Sequence, residues 1–558
     1  MRKQALLGLA CAIGLIGAGT AQQFSKQLSG DLKIEQALNR LTFGARPGDA
    51  EQVRKTGLKK WVDRQLHPER ILENPVLEEK LKTLDSLRMS SSELVRNYPA
   101  PQVIRQMVNG QVPLPSDPER RRMIQRLVAR AESKQGGVAG AKVAEPVALR
   151  DLLSPEEVRS LRTATSEQRV AALAALPAEK QDEVIAALPA GMRQGMFAIA
   201  PPELRRKIEL TQGPAQVVAR DLAEGKLLRA IYSNRQLDEV LTDFWFNHFN
   251  IYLDKGADRY LVTEYERDVI RPHVLGKFRD LLEATAKSPA MLFYLDNWQS
   301  VGPNAPQARG QGNKARRGLN ENYGRELLEL HTLGVDGGYT QKDVTEVARC
   351  FTGWTINQPQ RGGDFTFNKR THDEGEKTVL GVKISARGGM DDGEKVLDIV
   401  ARHPSTAHFV SRKLAQRFVA DDPPAALVDR MAQTFLKTDG DLRAVMKTML
   451  ESKEFWSVGA YRSKMKSPFE MVASAVRTVN GDVDYAAALM QQVAQLGEPL
   501  YRKVEPTGYS NASQEWLNSA GLLARMNFAL QLADNKVPGV KVETADAKVI
   551  GSPEFQKR

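Results

Sequence analysis

From residue 217 to residue 533, apolar side chains recur at helical spacing, and the breaks between them are polar or carry Gly and Pro. This period predicts helices over 218–232, 235–251, 258–275, 277–286, 321–333, 341–352, 391–402, 405–418, 424–437, 440–451, 466–479, 484–497 and 513–532. Nearer the start, Ile34, Ala37, Leu38 and Leu41 mark one helix, broken at Phe43-Gly44 and Pro47-Gly48. Val53, Leu58, Trp61, Val62 and Leu66 mark a second. Residues 74–110 read as helical with loops. Strand-like alternation is confined to 361–383, where "DFTFN" and "KTVLGVKI" predict a small β-hairpin or extended flap. The fold class expected is an all-α, irregular helical globule with that minor β element.

Composition changes the picture between residues 111 and 215, a stretch rich in Ala, Arg, Glu and Pro whose one aromatic residue is Phe197. Pro177, Pro189 and Pro201 recur every 12 residues, each reading as the start of a short helix. The segment is read as a helical insertion, either a spacer or a partner-docking arm. The expected division is 1–21, 22–110, the insertion 111–215, a main core 216–535 and a flexible C-terminal tail 536–558. Arg122, Arg126 and Arg130 share one face of the insertion's first helix, as a solvated face or a patch for anions.

The N-terminus departs from the amphipathic pattern. Arg2 and Lys3 precede an apolar, small-residue run from Ala5 to Ala18, and Gly19-Thr20-Ala21 fits a cleavage site, the three parts of a secretory signal. The expectation is an exported protein, periplasmic or extracellular, with no transmembrane span in the mature chain. A lipoprotein anchored through Cys11 is the minor alternative. Cleavage after Ala21 leaves Cys350 as the one cysteine, which excludes an intrachain disulfide, Cys-cluster zinc, iron–sulfur clusters and haem attachment. The formal charge of +11, which becomes +9 once Arg2 and Lys3 are removed, is mild and interspersed. With no aromatic interleaving it gives no sign of nucleic-acid binding.

Candidate chemistry concentrates in "NENYGRELLELHTLGVDGGYTQKDVTEVARCFTGW", residues 320–354. Asn320 is placed to cap the first helix and Gly334 to end it, and Thr340 with Asp343 forms a capping box for the second. On a regular helical wheel Asn322, Arg325, Glu326 and Glu329 share about 100° of arc, with His331 pointing away. Antiparallel packing of the two helices would add Glu346 and Arg349 to that face. Paired carboxylates with Arg and Asn suit acid–base work or a hard divalent metal. The same pattern also makes a salt-bridge network or a solvated face. The catalytic candidates are Glu326 as base or ligand, Arg325 as anion-positioning group, Glu329, Asn322, His372 as acid or ligand, and Asp373. Binding candidates are Asn247, His248, Arg349, Trp354 and Lys377. His248, among Trp245, Phe246 and Phe249, also reads as a hydrogen-bonded core residue. No nucleotide-binding, GxSxG or HExxH motif occurs.

"LNRLTFGARPGD" (38–49), "FWFNHF" (244–249), "LNENYGRELLELHTLG" (319–334), "GYTQKDVTEVARCFTGW" (338–354) and "HDEGEKTVLG" (372–381) resemble the bacterial family called domain of unknown function 1800. "KSPFEMV" and "NASQEWLNSAGLLARMNFA" are similar to its C-terminal part. The resemblance covers about 30–110 and 215–535. It implies a bacterial, usually exported, helical protein, genetically paired with an exported sulfatase/phosphatase-like protein, and it implies no activity, substrate or cofactor. Gly324 stands where the pattern suggests Ala, which is expected to loosen that helix slightly. Two functions follow from the residues: a non-catalytic binding or assembly factor, or a hydrolase-like enzyme using the carboxylate, Arg and His groups, with or without a divalent metal.

Overall fold

The computed structural model describes residues 22–135, 148–307, 318–543 and 547–558. The N-terminal apolar run with Cys11 and the basic part of loop 298–319, with Lys314, Arg316 and Arg317, lie outside the described residues. The chain is mostly helical, with three two-stranded antiparallel sheets among the described residues. No helix there is long and apolar enough to cross a membrane.

The amphipathic segments form where their periodicity places them, for example Pro214–Tyr232, Gln236–His248, Gln341–Phe351 and Pro404–Phe418. Their apolar faces merge into one large core that runs from Leu41 to Ile550. Two predicted helices are not regular. Asp258–Glu264 continues as a π-helical turn, Tyr265–Ile270, and Asn322–Glu326 continues as another, Leu327–Thr332.

The flap is two hairpins. In the first, β1 (Trp354–Ile356) pairs with β2 (Phe365–Phe367). In the second, β3 (Lys377–Val379) pairs with β4 (Val382–Ile384). The two-residue turn of the second is Leu380 and Gly381, at φ of 49° and 78°, the positive values that match a tight turn to strand twist. A third pair joins β5 (Asp482–Val483) to β6 (Val540–Lys541), in the segment that follows residue 536. Further along, Lys464 and Arg558 exchange backbone hydrogen bonds.

The insertion divides in two. Its first helix, Pro118–Gln135, sets Met123 and Ile124 into a cluster with Tyr98 and Val218. Beyond it, residues 149–208 carry a small core of their own, including Leu149, Leu173, Val184 and Ile208. Pro177, Pro189 and Pro201 each stand at the N-cap of a short helix, at φ of −56°, so every 12-residue repeat is one helix. Arg122 and Arg126 meet Glu179 and Glu183 of this unit at 3.5 and 2.9 Å as exposed surface pairs.

Candidate functional site

The two motif helices pack as expected, and the local signals hold. The Asn320 side chain accepts the Asn322 N–H at 2.9 Å. Thr340 and Asp343 cap each other, and Gly334 ends its helix at φ 84°. Gly324 is not a loosening defect. A Cβ on it would lie 2.9 Å from the Val344 carbonyl oxygen and 3.0 Å from the Ala348 nitrogen, so its missing side chain is what lets the helices approach. Gly324→Ala is therefore expected to destabilise the protein by about 1–3 kcal/mol, read by urea unfolding; a gain in stability would restore the propensity argument.

The single polar face expected on this pair does not form. None of Asn322, Arg325, Glu326 and Glu329 is bonded to Glu346 or Arg349 among the described residues. Arg325 reaches Gln341 at 3.0 Å and Glu321 at 3.5 Å, and Glu329 accepts from the Tyr339 hydroxyl at 3.3 Å. Glu326 is half-buried. Burial first, then the Glu329 charge, raises its carboxyl above the usual range, opposed by Arg325. Glu346 and Arg349 turn instead to the flap. Asp343 accepts the Leu380 N–H at 2.8 Å and Glu346 the Thr378 N–H at 2.9 Å. Arg349 bridges Glu346 at 2.7 Å and Asp373 at 2.8 Å.

Behind that bridge lies a closed network. His372 Nδ1 meets the Thr352 carbonyl at 2.7 Å, and its Nε2 meets Asp392 at 3.2 Å. The Lys377 ammonium donates to Asp392 at 2.7 Å and to the Asp373 carbonyl. Asp373 accepts from the Asn304 and Gly375 N–H groups at 3.0 Å each. His372, Asp373, Lys377 and Asp392 are all at most 3% exposed. Burial acts to raise the Asp373 carboxyl, but the bonds from Arg349, Asn304 and Gly375 outweigh it and hold it at about 2. Trp354 is fully buried, packed edge-on to Phe351 and Phe365. No hydrogen bond or ion pair among the described residues joins Glu326 to His372, so these candidates occupy two places. Nor do three His, Cys, Asp or Glu side chains there converge on one metal position.

Asn247 and His248 also part. The His248 Nε2 meets the His331 carbonyl at 3.0 Å inside the aromatic core. Burial holds both imidazoles neutral, His331 at about 3 and His248 well below its ordinary value. Asn247 faces the other way and clamps the Tyr509 backbone, donating to its carbonyl at 2.7 Å and accepting its N–H at 2.6 Å.

This clamp closes a polar cavity of about 50 Å³ whose wall includes Lys226, Asp243, Asn247, Glu470, Glu498 and Tyr501, room for a few waters at roughly 10–15 Å³ each. Lys226 pairs with Asp243 at 2.8 Å, and Glu470 with Arg417 at 2.6 Å and Arg558 at 3.0 Å. Glu498 accepts the Phe469 N–H at 2.8 Å. Burial and then Asp243 push its carboxyl up to about 8, against the bonds from Phe469 and Ser467. Tyr501 is held at φ 61°, a strained conformation for a bulky residue, by its hydroxyl bond to Glu266 at 2.6 Å and by the Leu253 N–H on its carbonyl at 3.0 Å.

Of this wall the sequence reading singled out Asn247 alone. Glu470 was within reach, because Ser467 and Glu470 spell a capping box in "KSPFEMV", and the box is present. Nothing local marks Lys226, Asp243, Glu498 or Tyr501, which reach the cavity from separate segments. No curated protein and no solved structure matches the chain. One family, described as "Protein of unknown function (DUF1800)", matches residues 36–556, the span that holds the motif hairpin, the flap network and the Asn247 cavity. The chain belongs to the DUF1800 family.

Proposed function

We propose that this chain is a non-catalytic binding or assembly factor acting outside the cytoplasm, with an exported sulfatase/phosphatase-like protein as its partner. One observation carries the reading. His372 and Asp373, two of the candidate catalytic groups, and the binding candidates Arg349 and Lys377 are bonded to one another, to Asp392 and to the backbone. Side chains braced in this way hold a fold together, although the Asp392 Oδ1 and Arg349 Nε atoms make no hydrogen bond; a reacting group needs an open side. The 149–208 unit, which has a core of its own, is the part to which this reading assigns docking.

The test is co-expression of the full chain with that partner, followed by size-exclusion chromatography. Co-elution is expected, surviving Glu326→Gln and weakened about tenfold or more when residues 148–200 are replaced by a Gly/Ser linker, with circular dichroism checking the fold. Hydrolysis of a sulfate or phosphate ester by the pure chain, lost in Glu326→Gln at an unchanged thermal midpoint, would overturn it. The hydrolase-like alternative has one observation in its favour. Beside the Lys226–Asp243 pair, the Asn247 cavity holds Glu498, a carboxylic acid that stays protonated near neutrality, as general acids do.

A further inference from the structure

A second cavity, of about 390 Å³, opens between the N-terminal helices and the core. Its size falls within the roughly 300–1,000 Å³ typical of small-molecule sites. The charged side chains on its wall are Arg46, Arg64, Arg70, Arg477 and Asp49, four guanidiniums to one carboxylate.

The inner two converge. Arg46 and Arg477 both donate to the Ile231 carbonyl, Arg477 at 2.7 Å. Arg477 is 3% exposed, and its one acidic partner is Asp49, at 3.4 Å. The same Asp49 oxygen also accepts the Arg46 backbone N–H at 2.8 Å. Burial first, then the Arg46 charge, lowers Arg477 to about 9, against Asp49. Two guanidiniums share one carbonyl oxygen, with Asp49 on the wall and Glu73 behind Ser233 and Asn234 as the nearby carboxylates, so the four guanidiniums still outnumber the negative charge, and an anion entering the cavity relieves the inner pair. The outer two stand exposed at the rim. Arg70 meets Asp63 and Glu69 at 4.0 and 3.8 Å, and Arg64 makes no ion pair among the described residues.

We infer that this cavity binds a tetrahedral oxyanion, a phosphate or a sulfate. The planar forks of Arg46, Arg64 and Arg70 match such an oxyanion two oxygens at a time, while Arg477, already bonded to Gly44, Ala230, Ile231 and Asp49, contributes its charge. The Trp61 ring, also on the wall, offers an apolar face to a group carrying the anion as an ester. The site stands apart from both the flap network and the Asn247 cavity, and does not depend on the function proposed above.

The experiment is isothermal titration calorimetry of the full chain at low ionic strength with inorganic phosphate, inorganic sulfate and glucose 6-phosphate. At least one probe is expected to bind, more weakly as salt is added. Arg64→Ala is expected to weaken it about tenfold, and Arg64→Ala with Arg70→Ala further still, at an unchanged thermal midpoint because both side chains are exposed. Tighter binding of glucose 6-phosphate than of inorganic phosphate would assign an ester-borne anion; equal binding would assign the free ion. No heat from any probe, or affinity indifferent to the double substitution, would overturn the site.

Discussion

Lys377→Met is expected to cost about 3–5 kcal/mol of stability, the loss typical of removing one partner from a buried ion pair. Lys377 is 1% exposed and Asp392 is fully buried. The lysine's ammonium supplies Asp392 with its shortest bond, 2.7 Å, against 3.2 Å from His372. Without it a carboxylate remains in the interior with one imidazole for company. The double substitution Lys377→Met with Asp392→Leu should recover much of the loss, since it removes the orphaned charge as well. Urea unfolding of the three proteins measures this, and equal losses in the single and double variants would place the effect in packing. The same network predicts acid sensitivity. Asp373 is held at about 2, below its ordinary 3.8, so its contribution is fully present above about pH 4 and is lost as pH falls from there through 2.

Glu498 predicts the opposite dependence. Its carboxyl stands at about 8 in the fold, against an ordinary 4.5. The folded state therefore retains a proton that the unfolded chain releases. The contribution is complete below about pH 4.5 and is withdrawn as pH rises through 8, by roughly 5 kcal/mol in all. Glu498→Gln keeps the shape and an acceptor for the Phe469 N–H while removing the titration. Thermal midpoints of the two proteins between pH 4.5 and 9 should diverge, with wild type falling relative to the variant. Parallel curves would mean that Glu498 ionises with its surroundings already adapted to the charge. Glu224 and Asp238, both raised to about 7 by burial, act in the same direction in both proteins and cancel in the comparison.

The polar face proposed for residues 320–354 fails at an identifiable point. A wheel drawn at 100° per residue assumes a regular α-helix, but from Leu327 to Thr332 the turn is π-helical. The wider turn breaks the alignment of Glu329 with Asn322 and Arg325. The second helix fails differently. Asp343, Glu346 and Arg349 do share a face, as their spacing says, and that face meets β3 and the turn after it instead of the first helix. The flap itself was legible from alternation in "KTVLGVKI", but not its partner, because a hairpin's period says which residues share a side and not what lies against it.

The family is legible from motifs spread along the chain, and local spacing specifies the helical class, most helix positions, the caps at Asn320, Thr340 and Gly334 and the hairpin after Lys377. Each of these local features rests on residues within a few positions of one another, where spacing and backbone preference act directly. Long-range packing alone makes His372 and Lys377 close on Asp392, turns Gly324 into a contact surface, and brings Lys226, Asn247, Glu470 and Glu498 to the wall of one cavity. It also brought Arg46 and Arg477, 431 positions apart in the chain, onto one carbonyl oxygen. Those outcomes depend on which apolar faces bury one another. Hydrophobic burial is non-directional, so the pattern along the chain says that a face is buried without saying against what.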